Sequence, residues 1–248
     1  LYSYGKHKSE CWRKKLEKSG CRFFDCAQET DIQVLTLART HNLDIAIDLK
    51  GYTQDTRSDI FQYRLAPIQV NYLGYPGSMA AKFIDYIVAD PVIIPEQQRK
   101  HYSESVIYMP NSYQPTDNMR KILHTHTTRA DFGLPKEAFI FCCFNNNYKI
   151  SPYEFDIWMR TLSKVPGSVL WLIRSNKWVE QNLYREAEAR SIDPSRIIFA
   201  EKVAHSEHLA RHKHADLFLD TFNYNAHTTA SDALWTGLPL ITKVGDQF

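Results

Sequence analysis

The sequence has no strong excess of charge of either sign, since 30 lysines and arginines stand against 28 aspartates and glutamates in 248 residues. A formal net charge of +2 offers little attraction to nucleic acid or to an anionic membrane surface, so neither partner is expected. Long hydrophobic runs are missing as well. The longest, residues 138–144, is far shorter than the ~20 residues that a membrane-spanning helix requires.

Cysteine is scarce, and its spacing suggests neither a disulfide framework nor a metal site. The five cysteines are an odd number, and no two of them form a C-x-x-C motif. Cys142 and Cys143 lie inside the apolar run, where a free cysteine behaves as a small buried hydrophobe. We therefore predict reduced structural thiols and a cytoplasmic protein, because disulfides are rare in that compartment.

Common motifs for binding phosphates and metals are also absent. The sequence has no G-x-G-x-x-G loop, no G-K-[ST] P-loop and no Asp-x-Asp triplet of the kind that holds Mg²⁺ or Mn²⁺. His205, His208, His212 and His214 lie close together, but their spacing supplies no obvious third zinc ligand. We therefore expect no metal and no other cofactor. Lysine and the start of a helix remain as means of neutralising a phosphate.

The sequence does contain alternating strand and helix patterns along most of its length. Strands are predicted at 22–25, 45–48, 68–73, 86–89, 106–109, 139–144, 168–173, 196–200, 217–220 and 240–242. Helices are predicted at 9–19, 31–41, 152–164, 178–189, 206–213 and 228–236. Apolar strands that alternate with helices over short loops are typical of parallel sheets, which indicates the α/β class.

The organisation of the pattern indicates two domains. Residues 111–128 are polar, include Pro115 and show no period, so we predict domains at 1–115 and 116–248. The chain starts at Leu1 rather than Met and ends inside the α/β pattern. We therefore interpret it as part of a longer protein in which both domains continue beyond these residues.

The strongest functional signal is a cation at a strand end together with the start of a helix. Lys149 follows an apolar predicted strand, and His227, Thr228 and Thr229 open a predicted helix. Backbone N–H groups at a helix start favour an anion, and an ammonium stabilises charge on a departing phosphate. A structural interpretation is equally open, because Thr229 and Asp232 have the spacing of a capping box. If a phosphate occupies the helix start, Asp232 becomes available to ribose hydroxyls.

The predicted sheet brings these residues to one edge. Residues 145–149, 201–208 and 221–229 each follow a predicted strand. Ligands of parallel α/β sheets bind outside the carboxyl ends of the strands. We therefore expect the three segments to form one site for a nucleoside diphosphate sugar.

At these residues the chain resembles the catalytic region of the O-linked N-acetylglucosamine transferases, glycosyltransferase family 41, of the bacterial type. In the first half the matching stretches are GYT at 51–53, LAPIQ at 65–69, LGYPG at 73–77, DYI at 85–87, YSE at 102–104 and YMP at 108–110. In the second half they are FN at 144–145, YKI at 148–150, VP at 165–166, SVLWL at 168–172, RIIF at 196–199, LDT at 219–221 and HTT at 227–229 with Asp232. The resemblance spans nearly the whole chain in order.

The resemblance implies a GT-B arrangement, in which two Rossmann-like domains with parallel sheets face a cleft. It also implies metal-independent, inverting transfer of a sugar from a UDP donor to serine or threonine hydroxyls of cytoplasmic proteins. Residues 1–115 would be the N-terminal catalytic lobe and residues 116–248 the C-terminal lobe that binds the nucleotide sugar. An N-terminal array of tetratricopeptide repeats usually precedes these lobes in the family.

The resemblance assigns roles to individual residues. Lys149 would be the catalytic cation that neutralises the leaving diphosphate. The phosphates would be held by Asn146, His227, Thr228 and Thr229. Uridine and ribose would be held by the backbone of Ala204 and by His208, Arg211 and Asp232. The sugar and acceptor side would be lined by Leu73, Gly74, Pro76 and Tyr224.

Three positions depart from the family pattern. Asn146 stands where many members have glutamine and reaches less far toward the phosphates, and Ser206 removes a lysine near the uridine. Tyr224 replaces a small residue near the pocket for the acetamido group, so its phenol would favour a plain hexose. The resemblance therefore implies a UDP-sugar and leaves the choice between N-acetylglucosamine and a hexose open.

Two alternative functions remain open on the sequence. One is a protein-binding module that keeps the fold without turnover, which Asn146 and Ser206 would favour. The family's histidine near the acceptor would lie upstream of Leu1, and no residue is a secure general base. The other alternative is a UDP-sugar enzyme whose acceptor is not a protein.

Overall fold

The computed structural model describes residues 1–4, 10–245 and 248. The chain divides into two compact units, Leu1–Pro115 together with Phe248, and Thr116–Gln247. Each unit has its own parallel sheet and its own buried apolar residues. Within the described part of the chain, no helix combines the length and the apolar character needed to cross a membrane.

The strands of the first unit are β1 (Tyr2–Ser3), β2 (Phe24–Asp25), β3 (Ile45–Asp48), β4 (Ile68–Asn71), β5 (Tyr86–Ala89) and β6 (Ser105–Tyr108). Four of them form a parallel sheet in the order β3-β4-β5-β6, and β1 and β2 form a separate parallel pair. Its α-helices are α1 (Glu10–Lys18) and α2 (Asp31–Thr40). Short 3₁₀ segments occur at Ser58–Tyr63 and Glu96–His101.

The strands of the second unit are β7 (Ile140–Cys143), β8 (Val169–Ile173), β9 (Ile197–Ala200), β10 (Leu217–Leu219) and β11 (Leu240–Ile241). They form a parallel sheet in the order β11-β10-β7-β8-β9. Its α-helices are α3 (Pro152–Lys164), α4 (Lys177–Glu188), α5 (His205–Arg211) and α6 (Thr228–Trp235). The 3₁₀ segments are Arg129–Phe132, Asn147–Lys149, Pro194–Arg196 and His212–His214.

The α/β class predicted from the sequence is confirmed by these two parallel sheets. Every residue of β7 and β8 is buried, as expected for central strands that are covered on both faces. Helix α3 begins with Ser151 as N-cap, answered by Glu154, and has Pro152 at its first position. Its inward face carries Phe155 and Trp158 into the core.

The strand order of the second unit reverses between β7 and β10. The chain leaves β7 toward β8 and β9 on one side, and returns to the other side of β7 with β10 and β11. Loops at the carboxyl ends of β7 and β10 therefore diverge and leave a crevice between them. The loop after β7 contains Lys149, and the loop after β10 leads to α6.

Element ends differ from the predictions by one or two residues. Strand β4 ends at Asn71 rather than at residue 73, where Leu73 takes a positive φ of 71°. Helix α5 ends at Arg211, and the predicted continuation tightens into a 3₁₀ turn. The short strand β1 was not predicted, because two residues are too few to show alternation. Ser9, the predicted start of the first helix, lies outside the described residues.

The buried thiols are confirmed for the central strand. Cys142 and Cys143 are fully buried and free, and Cys21 and Cys26 are also free. Burial raises the pKa of Cys142 well above its usual value and that of Cys143 to about 12. These two thiols are therefore protonated packing groups rather than nucleophiles. The side chain of Cys11 lies outside the described part of the chain.

Candidate functional site

A buried hydrogen-bond network joins the carboxyl ends of β7 and β10. The amide of Asn145 donates to Asp220 Oδ1 and to Thr221 Oγ1, each at 2.9 Å. Asp220 Oδ1 also accepts the backbone N–H groups of Thr221 and Ala226, both at 2.8 Å. The hydroxyl of Thr229 on α6 donates to Asn145 Oδ1. Residues from both strand ends and from α6 are therefore locked together behind the crevice.

Lys149 ends a 3₁₀ turn and reaches the loop that precedes α6. Its Nζ lies 3.5 Å from the carbonyl oxygen of Asn225 and 4.0 Å from the centroid of the Tyr224 ring. Burial lowers the pKa of the Lys149 ammonium, and the negative charge of Asp220 opposes that shift. The structure therefore brings the two runs singled out in the sequence together at one sheet edge.

Asn146 is exposed and begins the turn that contains Lys149. Its backbone carbonyl accepts the N–H of Lys149 at 3.0 Å, and its amide nitrogen lies 3.4 Å from the hydroxyl of Tyr148. The residue thus shapes the turn through its backbone and leaves its amide at the protein surface.

The start of α6 lies beside this cation. His227 precedes the first helical residue, Thr228, and stacks on Tyr224 with ring centroids 5.5 Å apart. Burial lowers the pKa of His227, and the positive charge of Lys149 lowers it further. The imidazole is therefore neutral near pH 7. In this form one ring nitrogen can donate a hydrogen bond to an anion such as a phosphate, and the other can accept one.

The capping-box interpretation of Thr229 and Asp232 is wrong. The N-cap residue of α6 is His227, and Thr229 donates to Asn145 instead of closing the helix start. Asp232 is buried and forms an ion pair with Arg120, while His205 Nε2 lies 3.2 Å from its second oxygen. Its role toward ribose stays a prediction, in which ribose hydroxyls would share or replace these partners.

A second cluster lies where β9 leads into α5. Arg211 is almost fully buried and donates to the carbonyl oxygen of Glu201 at 2.5 Å and to His208 Nδ1. Its guanidinium lies over the ring of Phe144 at 4.8 Å. Burial lowers the pKa of Arg211 to about 10. Burial, followed by the charge of Arg211, lowers the pKa of His208 to about 3, so this imidazole is neutral.

Ala204 caps α5 through its backbone, because its carbonyl oxygen accepts the N–H of His208 at 2.8 Å. This hydrogen bond places the backbone of Ala204 one helical turn before His208. A flat, neutral ring at a strand end is suited to stacking with a nucleobase. The sequence placed both residues at this strand end.

The histidines near α5 serve separate structural contacts. His212 Nδ1 bonds to the carbonyl oxygen of His208 at 2.7 Å, and His214 Nε2 lies 3.0 Å from the hydroxyl of Thr127. His205 faces Asp232. Among the residues that the structure describes, no group of three or more His, Cys, Asp or Glu side chains is placed to hold a metal ion.

The loop after β4 in the first unit carries Leu73, Gly74 and Pro76. Gly74 approaches Leu49 so closely that a Cβ would lie 2.0 Å from the Leu49 carbonyl oxygen. Only glycine fits at this position, and Leu73 beside it is exposed with a left-handed backbone. The three residues thus form a fixed turn at the carboxyl edge of the first sheet.

Sequence reasoning missed two groups that organise the second unit. Asp220 accepts hydrogen bonds from residues of three segments, although its position directly after a strand was a usable signal. Arg120 holds Asp232 and lies with its guanidinium 5.1 Å from the ring of Trp235. No local pattern pointed to Arg120, because it sits in a segment without any period.

Taken together, the parallel sheets and the crevice at the switch point are those of the GT-B glycosyltransferases, the class of solved structures that share this fold. The chain belongs to glycosyl transferase family 41, which matches residues 1–127 and 117–248. The GT-B-like fold class and the family resemblance predicted from the sequence are both confirmed.

Relatives and solved structures agree with this family. A probable UDP-N-acetylglucosamine–peptide N-acetylglucosaminyltransferase of Arabidopsis thaliana is 37% identical over 236 residues, which cover 93% of this chain and 24% of that protein. The UDP-N-acetylglucosamine–peptide N-acetylglucosaminyltransferase of Caenorhabditis elegans is 26% identical over 93% of this chain and 30% of its own length. A lysine-to-methionine mutant of the O-GlcNAc transferase of Thermobaculum terrenum superposes with a TM-score of 0.87 at 26% identity, over 97% of this chain and 45% of that chain. The chain thus spans less than a third of the length of these two curated relatives.

Proposed function

We propose that the protein is a UDP-sugar-dependent protein O-glycosyltransferase that moves N-acetylglucosamine or a hexose to serine or threonine hydroxyls. The names of the relatives as peptide N-acetylglucosaminyltransferases support this proposal. The observation that carries it is the placement of the Lys149 ammonium against the loop that opens α6, with its Nζ 3.5 Å from the Asn225 carbonyl oxygen. A diphosphate in this crevice would meet a cation and a helix start together.

In the proposed reaction, the oxygen of an acceptor hydroxyl attacks the anomeric carbon of the donor sugar and gives up its proton to solvent water. The bond from that carbon to the β-phosphate oxygen breaks, and UDP leaves with the electron pair. Because attack and departure occur on opposite faces, the anomeric centre is inverted. Lys149 compensates charge that grows on the departing oxygen, and such an interaction accelerates the step because it strengthens in the transition state.

The remaining contacts follow from the proposed orientation of the donor. Asn146, His227, Thr228 and Thr229 would contact the phosphates. The uridine would lie against His208 and the backbone of Ala204, with Arg211 at its edge and Asp232 at the ribose. Leu73, Gly74 and Pro76 would serve the sugar and the acceptor, and Tyr224 would limit the space for an N-acetyl group.

The proposal includes charge compensation without a metal. Lys149 and the dipole of α6 supply positive charge at the crevice, as described above. Transfer that continues in excess EDTA supports this part of the proposal. Transfer that stops in EDTA and returns with Mg²⁺ or Mn²⁺ contradicts it.

The test of the function is Lys149→Ala in the full-length protein, with transfer of labelled sugar to polypeptide as the readout. We expect turnover to fall roughly 10²–10³-fold, the usual loss for one oxyanion-stabilising group. UDP affinity should fall less. Lys164→Ala is the matched control, because this exposed lysine ends α3 before the amino end of β8. An unchanged rate in Lys149→Ala would remove Lys149 from the mechanism.

Two further measurements complete the proposal. Calorimetry with UDP, UDP-glucose and UDP-N-acetylglucosamine identifies the donor, and tighter binding of UDP-glucose is the outcome that the bulk of Tyr224 favours. From the family we also propose a cytoplasmic location and a tetratricopeptide-repeat region in the full-length protein. Cell fractionation tests the location, and the sequence of the full-length protein tests the repeat region.

A further inference from the structure

Lys149 lies against the face of an aromatic ring at the centre of the candidate site. Its Nζ is 4.0 Å from the centroid of Tyr224, and its hydrogen bond goes to the carbonyl oxygen of Asn225 at 3.5 Å. Both contacts come from the loop between β10 and α6. The loop that opens the helix therefore also holds the cation.

Tyr224 is held through both its ring and its backbone. The ring stacks on His227 with an interplanar angle of 25°, and the backbone carbonyl oxygen accepts a hydrogen bond from the hydroxyl of Thr221 at 2.8 Å. Thr221 is fully buried and belongs to the network around Asn145 and Asp220. The buried network thus anchors the backbone of Tyr224, and the stacking on His227 orients its ring.

We propose that Tyr224 is a positioning residue for Lys149: its ring face holds the ammonium beside the start of α6 before the donor binds. This inference rests on the proposed function. A cation that is already in place meets the diphosphate without rearrangement, so more of the interaction is available in the transition state.

A ring is a better resting partner for this lysine than a carboxylate would be. The ring attracts an ammonium through its quadrupole but carries no charge, so it does not neutralise the cation or compete strongly with phosphate. Asp220, Cys143 and His227 are among the charged or titratable groups that act on Lys149. Asp220 already accepts Asn145, Thr242 and backbone N–H groups, so its charge is shared within the network.

Two variants of Tyr224 test the proposal in the full-length protein. Tyr224→Leu keeps an apolar side chain but removes the ring face, and we expect kcat to fall about 2- to 30-fold, the range of a cation–π contact. The KM for the donor should change less. Tyr224→Phe keeps the ring and should restore most of the lost rate. A Phe variant as impaired as the Leu variant, or a Leu variant with unchanged kcat, overturns the proposal.

A second readout does not depend on transfer activity. Lysines can be ¹³C-dimethylated, and the Lys149 signal is assigned by its loss in Lys149→Arg. Methyl groups over a ring face resonate upfield, so we expect an upfield Lys149 signal that moves downfield in Tyr224→Leu and on addition of UDP. Absence of the upfield shift in the unaltered protein overturns the proposal, even if the transfer reaction itself is observed.

The chain offers a matched control in the first unit. Lys15 Nζ lies 4.3 Å from the ring of the exposed Trp12, so Trp12→Leu removes a similar contact away from the crevice. This variant should leave kcat and the Lys149 signal unchanged. If Tyr224→Leu lowers both the melting temperature and the affinity for UDP, the role of Tyr224 is merely structural, and this result would contradict the inference. Failure of the proposed function would instead appear as no transfer with an intact Lys149 signal.

Discussion

At the scale of single residues, Arg211 shows a conflict between stability and binding. Arg211 is 2% exposed, and its hydrogen-bond partners at Glu201 and His208 are a carbonyl oxygen and an imidazole rather than a carboxylate. Burial of a cation without an opposite charge costs free energy, which agrees with the lowered pKa of about 10. Such a group is expected where a ligand supplies the missing acceptor.

Arg211→Met should therefore raise the stability of the free protein while weakening UDP binding. Methionine fills a similar volume without a charge, so we expect a gain of about 1 to 3 kcal/mol in the free energy of unfolding. Calorimetry should show a loss of UDP affinity. Thermal melting and urea titration of the ligand-free protein measure the gain.

Arg196→Met is the matched control for that experiment. Arg196 donates to the carbonyl oxygens of Ser168, Leu162 and Val165 at 2.7 to 3.0 Å, so it satisfies buried acceptors. Its replacement should lower stability, because three carbonyl oxygens lose their donor, whereas replacement of Arg211 frees only the carbonyl oxygen of Glu201. A lower melting temperature for Arg211→Met as well would contradict the interpretation of Arg211 as a destabilising binding residue.

The sequence predicts site residues whose position is local. Lys149 follows a strand and Thr229 opens a helix, and both facts can be read from the surrounding pattern. The partners of Asp232 and Asn145 could not be read in this way, because Arg120 and Asp220 lie 112 and 75 residues away from them. Thr229 and Asp232 show the same limit, since distant partners replace the local capping box.

At the scale of elements, the turn after β4 depends on one glycine. A Cβ on Gly74 would lie 2.0 Å from the Leu49 carbonyl oxygen and 2.9 Å from the Lys50 Cα, both backbone atoms that cannot move alone. A Cβ on Gly77 would meet only the ring of Tyr75, at 3.5 Å, which is an ordinary contact. The two glycines of the LGYPG stretch therefore carry different constraints.

Gly74→Ala should destabilise the first unit by about 1 to 3 kcal/mol, the usual effect of overpacking. Because the turn carries Leu73 and Pro76, we also expect a lower rate of transfer to the acceptor. Urea titration and the transfer assay measure these effects. Gly77→Ala is the control and should change the urea midpoint of unfolding little. Equal effects of the two substitutions would refute the role of the close approach at Gly74.

Regular elements were easier to predict than the segments between them. Strands such as β7 and β8 are continuous apolar runs, because both faces are covered, and short loops bound them. Residues 116–128 show no hydrophobic period, but they make specific contacts. The backbone carbonyl oxygen of Thr125 accepts a hydrogen bond from Lys213 Nζ at 2.6 Å, and the hydroxyl of Thr127 contacts His214. The order of this segment comes from tertiary contacts with α5 and the turn after it, which leave no local pattern.

At the scale of the whole molecule, strand order decides where the site lies. The sequence predicts parallel strands but does not state which strands are neighbours, so the reversal between β7 and β10 comes only from the structure. That reversal opens the crevice where Lys149, Asn145 and Thr229 gather. The same topology packs histidines around α5 and α6, and their burial makes the stability of the second unit depend on pH.

His208, His212, His214 and His227 all have pKa values lowered chiefly by burial, that of His208 to about 3. Above pH ~6.5 these imidazoles are neutral in both the folded and unfolded chain and do not affect stability. Below it the unfolded chain binds protons that the folded chain does not, so stability falls as the pH is lowered. For His208 the loss continues toward pH 3, with a slope of at most about 1.4 kcal/mol per pH unit.

We therefore expect the melting temperature to drop steadily between pH 6.5 and 4. The substitution His208→Gln should make this drop smaller, whereas His126→Gln, at an exposed position, should leave it unchanged. A melting temperature that stays constant over this range would contradict the burial of these histidines as neutral groups.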